Sequence, residues 1–425
     1  MTARAAIIGG GWAGCAAALT LAQAGIAVEL YEAARTLGGR ARAVDLEACR
    51  LDNGQHILLG AYTQTLKLLS EVHPDTPEAG LLRLPLAIEQ PPDFRLTCPR
   101  LPAPLHLLIG LLGARGLKLS EKWAALRWVH NLLNPGPERL PATVSQLLSG
   151  QPEALCIHLW HPLCVSALNT APEHASAEVF RHVLAAIFGG QRQHSDLLLP
   201  CCDLTRMFPE PVARKVLATC GRIHMQTRIR ALHPVTGGIT LALQDRMATY
   251  EHVIIAVAPQ HLPGLCINIP ELSALASSVG AYDYEAIATA YLQYPDTVSL
   301  SRPMLALSDG PGQFVFDRGR THGQNGLLAI VVSAASGPTR QAGWLARSER
   351  QLSRVADLPS PRWRKTVIEK RATCTCRPGM TRPDSVTAHP RIFLAGDYTA
   401  GPYPATLESA TLSGVKSAQA LLQRL

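Results

Sequence analysis

Short apolar runs that end in glycine open the chain and predict buried parallel strands. AAIIGG, which starts at Ala5, is followed by an alanine- and leucine-rich stretch that predicts a helix ending near Gly25. IAVELYEA then predicts a second strand that ends at Glu32. Because strand, glycine turn, helix and strand follow one another, the pattern predicts a βαβ unit of an α/β fold.

The far end of the chain repeats the alternation of strand and helix. RIFLAGD predicts a buried strand that ends at Gly396 and Asp397. ATLESATLSGVKSAQALL then has helical periodicity, with small residues along one face. The C-terminal segment therefore predicts a strand and helix that can join the sheet begun at the N-terminus.

Glycines in the first turn have the spacing of a dinucleotide-binding motif. Gly9, Gly11 and Gly14 form G-x-G-x-x-G: the first permits a tight turn, the second admits a pyrophosphate, and the third lets helix and strand pack closely. Glu32 ends the second strand, where a carboxylate can bind ribose hydroxyls. The predicted contacts of the ADP half are Gly9, Gly11, Trp12, Ala13, Gly14, Glu32 and Ala33.

A second glycine turn favours FAD over a nicotinamide cofactor. Gly38, Gly39 and Arg40 follow the acidic residue closely, and an extended flavin cofactor needs further contacts there. The alternative is an ordinary loop with exposed arginines. Asp397 can accept from ribityl hydroxyls, and the next helix can stabilise negative charge on the flavin at its N-terminus. The contacts predicted at that helix start are Ala405, Thr406 and Leu407, after Gly396 and Asp397.

Composition narrows the class of protein. The 425 residues are 47% apolar and 17% charged, which predicts a globular chain with two domains or one large mixed domain. The formal charge is +8, but the arginines are dispersed, so we expect no nucleic-acid partner. The 11 cysteines form no C-x-x-C pair, which predicts reduced cytosolic thiols and neither a disulfide framework nor a zinc site. No signal peptide or spanning segment is expected.

One leucine-rich stretch has the composition of a membrane-surface helix. LPAPLHLLIGLLGARGLKLSEKWAALRWVHNLL contains Trp123, Trp128 and interspersed basic residues, and it predicts an amphipathic helix near 105–133. The helix either lies on a bilayer surface or packs into a domain core. We expect a cytoplasmic protein, and the first alternative adds peripheral contact with the inner face of the cytoplasmic membrane.

These motifs place the chain beside a known superfamily. The GxGxxG, acidic residue, GGR and C-terminal AGD resemble the flavoproteins that include monoamine oxidases and phytoene desaturases. Within that superfamily, the interior resembles the hydroxysqualene dehydroxylases of bacterial hopanoid synthesis. The segments that carry this resemblance are LDNGQHILLGAY (51–62), LPAPLHLL (101–108), LWHPLCVSALNTAPEHASAEVF (159–180), SDLLLPCCDLTRMFPEP (195–211), FVFDRGR (314–320) and EKRAT (369–373).

The resemblance implies a two-domain architecture. A Rossmann-type FAD-binding domain would be discontinuous, over residues 1–75, 212–270 and 366–425, with an α+β substrate domain from 76–211 and 271–365. Two further strands are then expected in GRIHMQTRIRALHP and EHVIIAVAP. The backbone near Ile229 would meet the adenine.

The resemblance also implies an activity: a long isoprenoid allylic alcohol, hydroxysqualene, would be reduced to squalene by hydride from reduced FAD. An acid must help the hydroxyl leave. His56 is the preferred donor because it can be protonated near neutral pH. The other candidate catalytic residues are Asp52, Tyr62, Tyr398 and Tyr403, with the two last tyrosines expected close to the flavin. Asp52 has the alternative of merely capping a turn, and His56 that of a structural histidine.

Other functions stay open at this stage. An isoprenoid desaturase would run the flavin in the opposite direction, and a non-catalytic lipid carrier, like the Rab GDP-dissociation inhibitors, shares the fold. EKRAT favours non-covalent FAD, although Cys374 and Cys376 lie where monoamine oxidases attach flavin. No second nucleotide motif indicates the electron donor, and hopanoid-pathway synthases are the expected source of the alcohol.

Overall fold

The computed structural model describes residues 4–47, 49–134, 140–337 and 343–425. Within these ranges the strands, in chain order, are β1 (Arg4–Ile8), β2 (Ala27–Tyr31), β3 (Ala43–Leu46), β4 (Cys49–Asp52), β5 (Leu58–Leu59), β6 (Leu81–Leu84), β7 (Ala87–Gln90), β8 (Phe94–Thr97), β9 (Leu197–Pro200), β10 (Arg222–His224), β11 (Ala231–Val235), β12 (Gly238–Ala242), β13 (Met247–Tyr250), β14 (His252–Ile255), β15 (Tyr284–Gln293), β16 (Met304–Ala306), β17 (Phe314–Asp317), β18 (Leu327–Val332), β19 (Trp363–Cys374) and β20 (Ile392–Leu394).

Helices connect these strands and cover the sheets. In chain order they are α1 (Trp12–Gln23), α2 (Thr63–Val72), α3 (Leu105–Leu112), α4 (Leu119–Leu133), α5 (Val144–Leu147), α6 (Glu153–Leu155), α7 (His161–Leu168), α8 (Ala177–Phe188), α9 (Leu204–Met207), α10 (Pro209–Ala218), α11 (Leu262–Leu265), α12 (Ser273–Gly280), α13 (Arg318–His322), α14 (Trp344–Val355) and α15 (Leu407–Leu422). A π-helical turn at Cys156–Trp160 joins α6 to α7.

A five-stranded parallel sheet forms the first layer, with the strand order β10-β2-β1-β14-β20. Its apolar strands are buried on both faces, which is why their sequences read as continuous apolar runs. Helices α1 and α15 cover one face and contact each other, and the antiparallel β11-β12-β13 sheet packs toward the other. The predicted α/β class and the strands read from the sequence at both chain ends are confirmed.

The second layer is an antiparallel sheet with the order β16-β17-β18-β15-β19. Helices α3 to α8 pack beside it around a core that contains Trp160, Phe180 and Tyr291. Smaller sheets, β5-β9-β6, β7-β8 and β3-β4, complete this part of the chain. The arrangement gives the α+β composition expected of a substrate domain.

The boundaries between the layers differ from the predicted ones. β19 pairs with β15 along its length to Cys374, so the second sheet extends past residue 366. Conversely, Leu204, Met207 and Phe208 pack in the core around α1, so the first layer begins before residue 212. Both differences arise because a strand or helix stays with the surface that buries its apolar side.

The helix predicted near 105–133 is two helices, α3 and α4. The break falls at a glycine-containing turn, and Gly116 has a φ of +85°, a conformation that glycine adopts without strain. In the described part of the chain, no helix combines the length and apolar character needed to cross a bilayer.

Candidate active site

A cavity of about 960 Å³ lies between the two layers and is lined by residues from both. Strand ends and helix starts of the parallel sheet form one half, which we call the cofactor half. Side chains from α7, β15, β17, β18 and β19 form the other, the substrate half. Crevices beyond the carboxyl ends of parallel strands are the usual binding places in such sheets.

Close backbone packing explains two of the three motif glycines. Gly9 has a φ of +108°, and a Cβ there would lie 2.5 Å from the Ala256 carbonyl oxygen. A Cβ on Gly14 would lie 1.9 Å from the Gly9 carbonyl oxygen. Gly14 therefore serves the packing of α1 and does not line the cavity, so its predicted contact with the cofactor is wrong.

The start of α1 fits a pyrophosphate. A Cβ on Gly11 would meet nothing closer than the Gly39 Cα at 3.8 Å, so the space beside this turn is open. No side chain caps the helix start, which leaves the positive end of the helix dipole for an anion. Gly38 donates its N–H to the Gly10 carbonyl at 2.8 Å, and this bond holds the second glycine turn against the first.

Glu32 stands at the end of β2 with its carboxylate held by backbone amides. Its two oxygens accept hydrogen bonds from Gly10 N and Ala34 N, each at 2.7 Å. A carboxylate oxygen has more than one lone pair, so acceptor capacity remains for ribose hydroxyls in the cavity. These residues fit the ADP half of FAD.

One ion pair joins the two ends of the chain at the cofactor half. Arg40 Nη2 lies 2.5 Å from Asp397 Oδ1, and Arg40 Nη1 donates to the Ala372 carbonyl at 2.9 Å. Asp397 follows β20, so this pair fixes the GGR turn to the carboxyl end of the last strand. The remaining Asp397 oxygen can accept from a ribityl hydroxyl.

Helix α15 begins at the cavity. Thr406 is its N-cap and accepts from Ser409 N at 3.2 Å. Glu408 does not line the cavity. Its carboxylate accepts hydrogen bonds from Gln64 N and from Thr65 N and Oγ1. The N-terminus of a 16-residue helix thus lines the cavity, where its dipole would stabilise negative charge on a bound flavin.

The structure gathers the predicted cofactor contacts in one place. Those that line the cavity are Gly9, Gly11, Trp12, Ala13, Glu32, Ala33, Gly38, Gly39, Arg40, Ile229, Gly396, Asp397, Ala405, Thr406 and Leu407. No cysteine lines it among the described residues. Cys374 and Cys376 border a smaller, separate cavity. Burial raises the pKa of Cys374 to about 12, so this thiol is protonated at neutral pH.

His56 lines the cavity. Its Nδ1 lies 2.8 Å from the Gly54 carbonyl oxygen, which requires a proton on Nδ1 and leaves Nε2 free. Burial lowers the pKa of His56, and this outweighs the Gly54 carbonyl and the Asp52 charge, which both raise it. Burial thus disfavours the imidazolium form, and the role of His56 as a proton donor stays a prediction.

Asp52 does not line the cavity, so its predicted contact with substrate is wrong. Its Oδ1 accepts from Leu204 N at 2.8 Å, and its Oδ2 lies 3.3 Å from Nη1 of Arg318, a fully buried side chain. His322 Nε2 is 3.8 Å from the same oxygen. Burial raises the pKa of Asp52 against the opposing charge of Arg318. Asp52 anchors the segment that carries His56.

The three candidate tyrosines have different positions. Tyr62 lines the cavity, and burial raises its phenol pKa well above the usual range. Tyr403 packs edge-on against Tyr62, with ring centroids 5.9 Å apart, and its hydroxyl donates to the Ala61 carbonyl. These two contacts hold the Tyr62 ring in place. Tyr398 is buried in the core beside β14. Neither Tyr403 nor Tyr398 lines the cavity, and their predicted contact with the reacting groups is wrong.

Several residues with polar side chains at the cavity were not singled out from the sequence. Gln55 and Glu369 line it, and Gln55 Nε2 donates to Tyr291 Oη at 3.0 Å. Tyr291 Oη in turn donates to the Asp52 carbonyl at 2.6 Å. Gln55 and Glu369 both lie in segments quoted for the resemblance, but only the fold shows that they line one cavity.

The substrate half combines apolar and polar walls. Its apolar side chains are Ile57, Ala167, Ile287, Phe314, Phe316 and Val331, and its polar residues are Ser166, Asn169, Ser333, Glu369 and Thr373. The apolar side chains come from separate strands and helices and belong to or pack against the core of the second layer. An apolar chamber beside a few polar groups is the usual form of a site for a hydrophobic small molecule.

Comparison with known families now decides the class. The family described as flavin containing amine oxidoreductase matches residues 205–422, and an NAD(P)-binding Rossmann-like domain matches residues 7–72. The chain belongs to the flavin containing amine oxidoreductases. It is an FAD-dependent oxidoreductase with a Rossmann-type cofactor domain.

Known relatives of this flavin oxidoreductase include hydroxysqualene dehydroxylases and a probable carotenoid desaturase. It is 26% identical to a hydroxysqualene dehydroxylase of Rhodopseudomonas palustris, over 98% of this chain and 97% of that protein. It is also 26% identical to a hydroxysqualene dehydroxylase of Zymomonas mobilis, over 98% of both chains. A probable zeta-carotene desaturase of Synechococcus elongatus is 23% identical over 99% of this chain and 98% of that one.

Solved structures share the fold of the flavin oxidoreductase. An oxidoreductase from Methanosarcina mazei superposes with a TM-score of 0.75 at 16% identity, covering 98% of this chain and 99% of the other. Cyclohexylamine oxidase from Brevibacterium oxydans gives a TM-score of 0.69 at 17% identity, covering 100% and 99%. At these identities the likeness concerns the architecture alone.

Proposed function

We propose that this flavin oxidoreductase reduces the allylic alcohol hydroxysqualene to squalene, as a step of squalene and hopanoid synthesis. The observation that carries the proposal is that His56 and the apolar side chains of the substrate half line the same cavity as the cofactor half. Full-length similarity to two hydroxysqualene dehydroxylases supports the choice of substrate. The alcohol would come from hopanoid-pathway synthases.

The reaction needs a hydride and a proton. Reduced FAD, when bound, supplies the hydride for the new C–H bond. The allylic C–O bond breaks, and the leaving oxygen takes up a proton to depart as water. The apolar walls built from Phe314, Phe316 and Val331 keep other water away from the allylic carbon, which would otherwise be hydroxylated again.

In this proposal His56 Nε2 delivers the proton. The Gly54 carbonyl fixes the Nδ1 proton, so Nε2 is the ring atom that exchanges protons with the cavity. Because burial lowers the pKa of His56, the imidazolium is a minor species at neutral pH and a strong acid when it forms. The rate of dehydroxylation should therefore rise as the pH falls from 8 toward 6.

The test is anaerobic incubation of dithionite-reduced holoenzyme with hydroxysqualene, with squalene measured by gas chromatography. We expect one squalene per reduced flavin. His56→Gln should slow the reaction by about 100-fold or more and remove its pH dependence, while the flavin absorbance is retained. Thr289→Val, which alters a buried hydroxyl without a partner on β15, is the matched control. No squalene from reduced holoenzyme would rule the proposal out.

Isoprenoid desaturation is the second candidate, and one observation favours it. A neutral His56 with a free Nε2 lone pair suits a base that removes a proton while oxidised FAD takes a hydride. Similarity to a probable zeta-carotene desaturase agrees with this direction. Oxidised holoenzyme that bleaches with a polyene but yields no squalene when reduced would select the desaturase. A cofactor site of this completeness argues against a non-catalytic lipid carrier.

A further inference from the structure

Helices α3 and α4 expose a compact group of large apolar side chains. We call this group the α3–α4 patch: Leu105, Ile109, Leu112, Leu119 and Trp123. Trp123 is 56% exposed and Leu119 is 65% exposed. The patch holds five of the thirteen large apolar side chains that the described residues expose, whereas the others are dispersed along the chain. Concentration of this kind marks an interaction surface.

Helical periodicity accounts for the patch, and poor packing does not. Leu105, Ile109 and Leu112 have the i, i+4, i+7 spacing of one face of α3, while Leu107 and Leu111 on the opposite side are buried. Helix α3 therefore has a buried inner face and an apolar outer face, and α4 adds Leu119 and Trp123 to the patch while Ala125 and Leu132 are buried on its inner side.

Specific hydrogen bonds hold the two helices together. Lys122 Nζ donates to the Leu112 carbonyl at 2.8 Å, which ties the first turns of α4 to the C-terminus of α3. Glu121 accepts from Lys118 N at 2.7 Å and caps the start of α4. The patch is thus a fixed surface rather than two independent segments.

Positive charge surrounds the patch. Arg115, Lys118, Lys122 and Arg127 lie between or beside its members, and Arg127 is one turn beyond Trp123 on the same face. Glu121 is the lone acidic residue in the sequence from 105 to 134, and its carboxylate is engaged in the helix cap. A second protein would need a matching acidic surface, whereas an anionic bilayer offers negative charge and apolar depth together.

We propose that the α3–α4 patch docks the protein on an anionic phospholipid bilayer, with Trp123 at the interface and the basic side chains against the headgroups. The inner face of α4 connects the patch to the core that forms the cavity wall. Trp128 packs on Trp160 at 4.5 Å, in the same core that contains Phe314 and Phe316 of the cavity wall. The next step rests on the proposed function. Docking would place the substrate half of the cavity beside the bilayer, in which a C30 alcohol dissolves.

Vesicle sedimentation tests the docking without substrate or turnover. Holoenzyme is mixed with vesicles of phosphatidylcholine alone or with phosphatidylglycerol added. We expect binding to the anionic vesicles that weakens with added salt. Leu119→Ser/Trp123→Ser should lower the partition coefficient by about 10-fold or more, and Lys118→Gln/Arg127→Gln by about five-fold for each charge removed. Leu217→Ser/Met247→Ser alters two exposed apolar residues elsewhere and should bind like the wild type.

The flavin absorbance spectrum, recorded without substrate, checks that each variant is folded and retains its cofactor. Equal binding by wild type and Leu119→Ser/Trp123→Ser would overturn the docking. So would a patch-dependent dimer in light scattering without vesicle binding, because a second copy would then be the occupant. Since vesicle binding is measured without hydroxysqualene, it can fail or succeed independently of the proposed reaction.

Discussion

Backbone shapes the cofactor half of the cavity, whereas side chains from distant segments shape the surroundings of His56. At the start of α1, glycines remove every Cβ that would obstruct the turn, and amides and a helix dipole are left to bind the pyrophosphate. Around His56, Asp52, Arg318 and Tyr291 hold the segment through one connected set of polar contacts. The first half is sensitive to added volume at Gly9 and Gly14, and the second is sensitive to the loss of a polar partner.

The largest effect is expected from adding volume to the cofactor half. In Gly14→Val the new side chain overlaps the Gly9 carbonyl, so α1 must move away from β1. We expect a colourless protein, destabilised by about 3 kcal/mol or more. Visible absorbance after purification in excess FAD is the measurement. Gly401→Ala is the control because a Cβ there meets nothing within 4 Å; yellow Gly14→Val protein would contradict the expectation.

The buried ion pair should give the next largest effect, and FAD binding should survive it. Arg318→Met leaves the Asp52 carboxylate buried without its partner, which costs about 3–5 kcal/mol. Urea unfolding should show this loss, and Asp52→Asn/Arg318→Met should recover a large part of it because no charge is left unpaired. A double variant as unstable as the sum of both single variants would show that the pair is not coupled.

Acid should lower the free energy of unfolding through His322, which lies beside Asp52. Burial lowers the pKa of His322 to about 3, so below pH 6.5 the unfolded chain binds a proton that the folded chain does not. Stability is therefore lost as the pH falls, by about 2 kcal/mol from this residue between pH 7 and pH 5. His322→Gln should flatten the pH dependence of the urea midpoint over that range. An unchanged slope would mean that His322 does not titrate as inferred.

The smallest effect separates the two halves most clearly. Tyr291→Phe removes the hydroxyl that donates to the Asp52 carbonyl and accepts from Gln55, so we expect a loss of about 1–3 kcal/mol. Turnover should fall while FAD affinity, measured by fluorescence titration, stays the same. Thr289→Val on the same strand should change neither quantity. Weaker FAD binding in Tyr291→Phe would show that the halves are coupled.

The same difference explains what could be predicted from the sequence. Gly9, Glu32, Gly38 and Asp397 were predictable because their function follows from local spacing and from the strand or helix that each one ends. The surroundings of His56 depend on which distant segments meet.

Arg318 joins Asp52 across 266 residues, and no local periodicity encodes that contact. Burial also lowers the pKa of His56, and this could not be predicted from the sequence because burial depends on the whole fold. The prediction for Tyr398 was wrong for a related reason. Asp397 lines the cavity, but the side chain of the next residue is buried in the core.

The pair of Arg40 and Asp397 also orders the biosynthesis of the holoenzyme. Its members are 357 residues apart, and β20 completes the parallel sheet only when the final segment is available. At about 5–20 residues per second, the ribosome needs roughly 20–70 s to synthesise the intervening chain. During that interval the glycine turn exists without its C-terminal counterpart, so the nascent chain must wait for its last strand and helix before it can retain FAD.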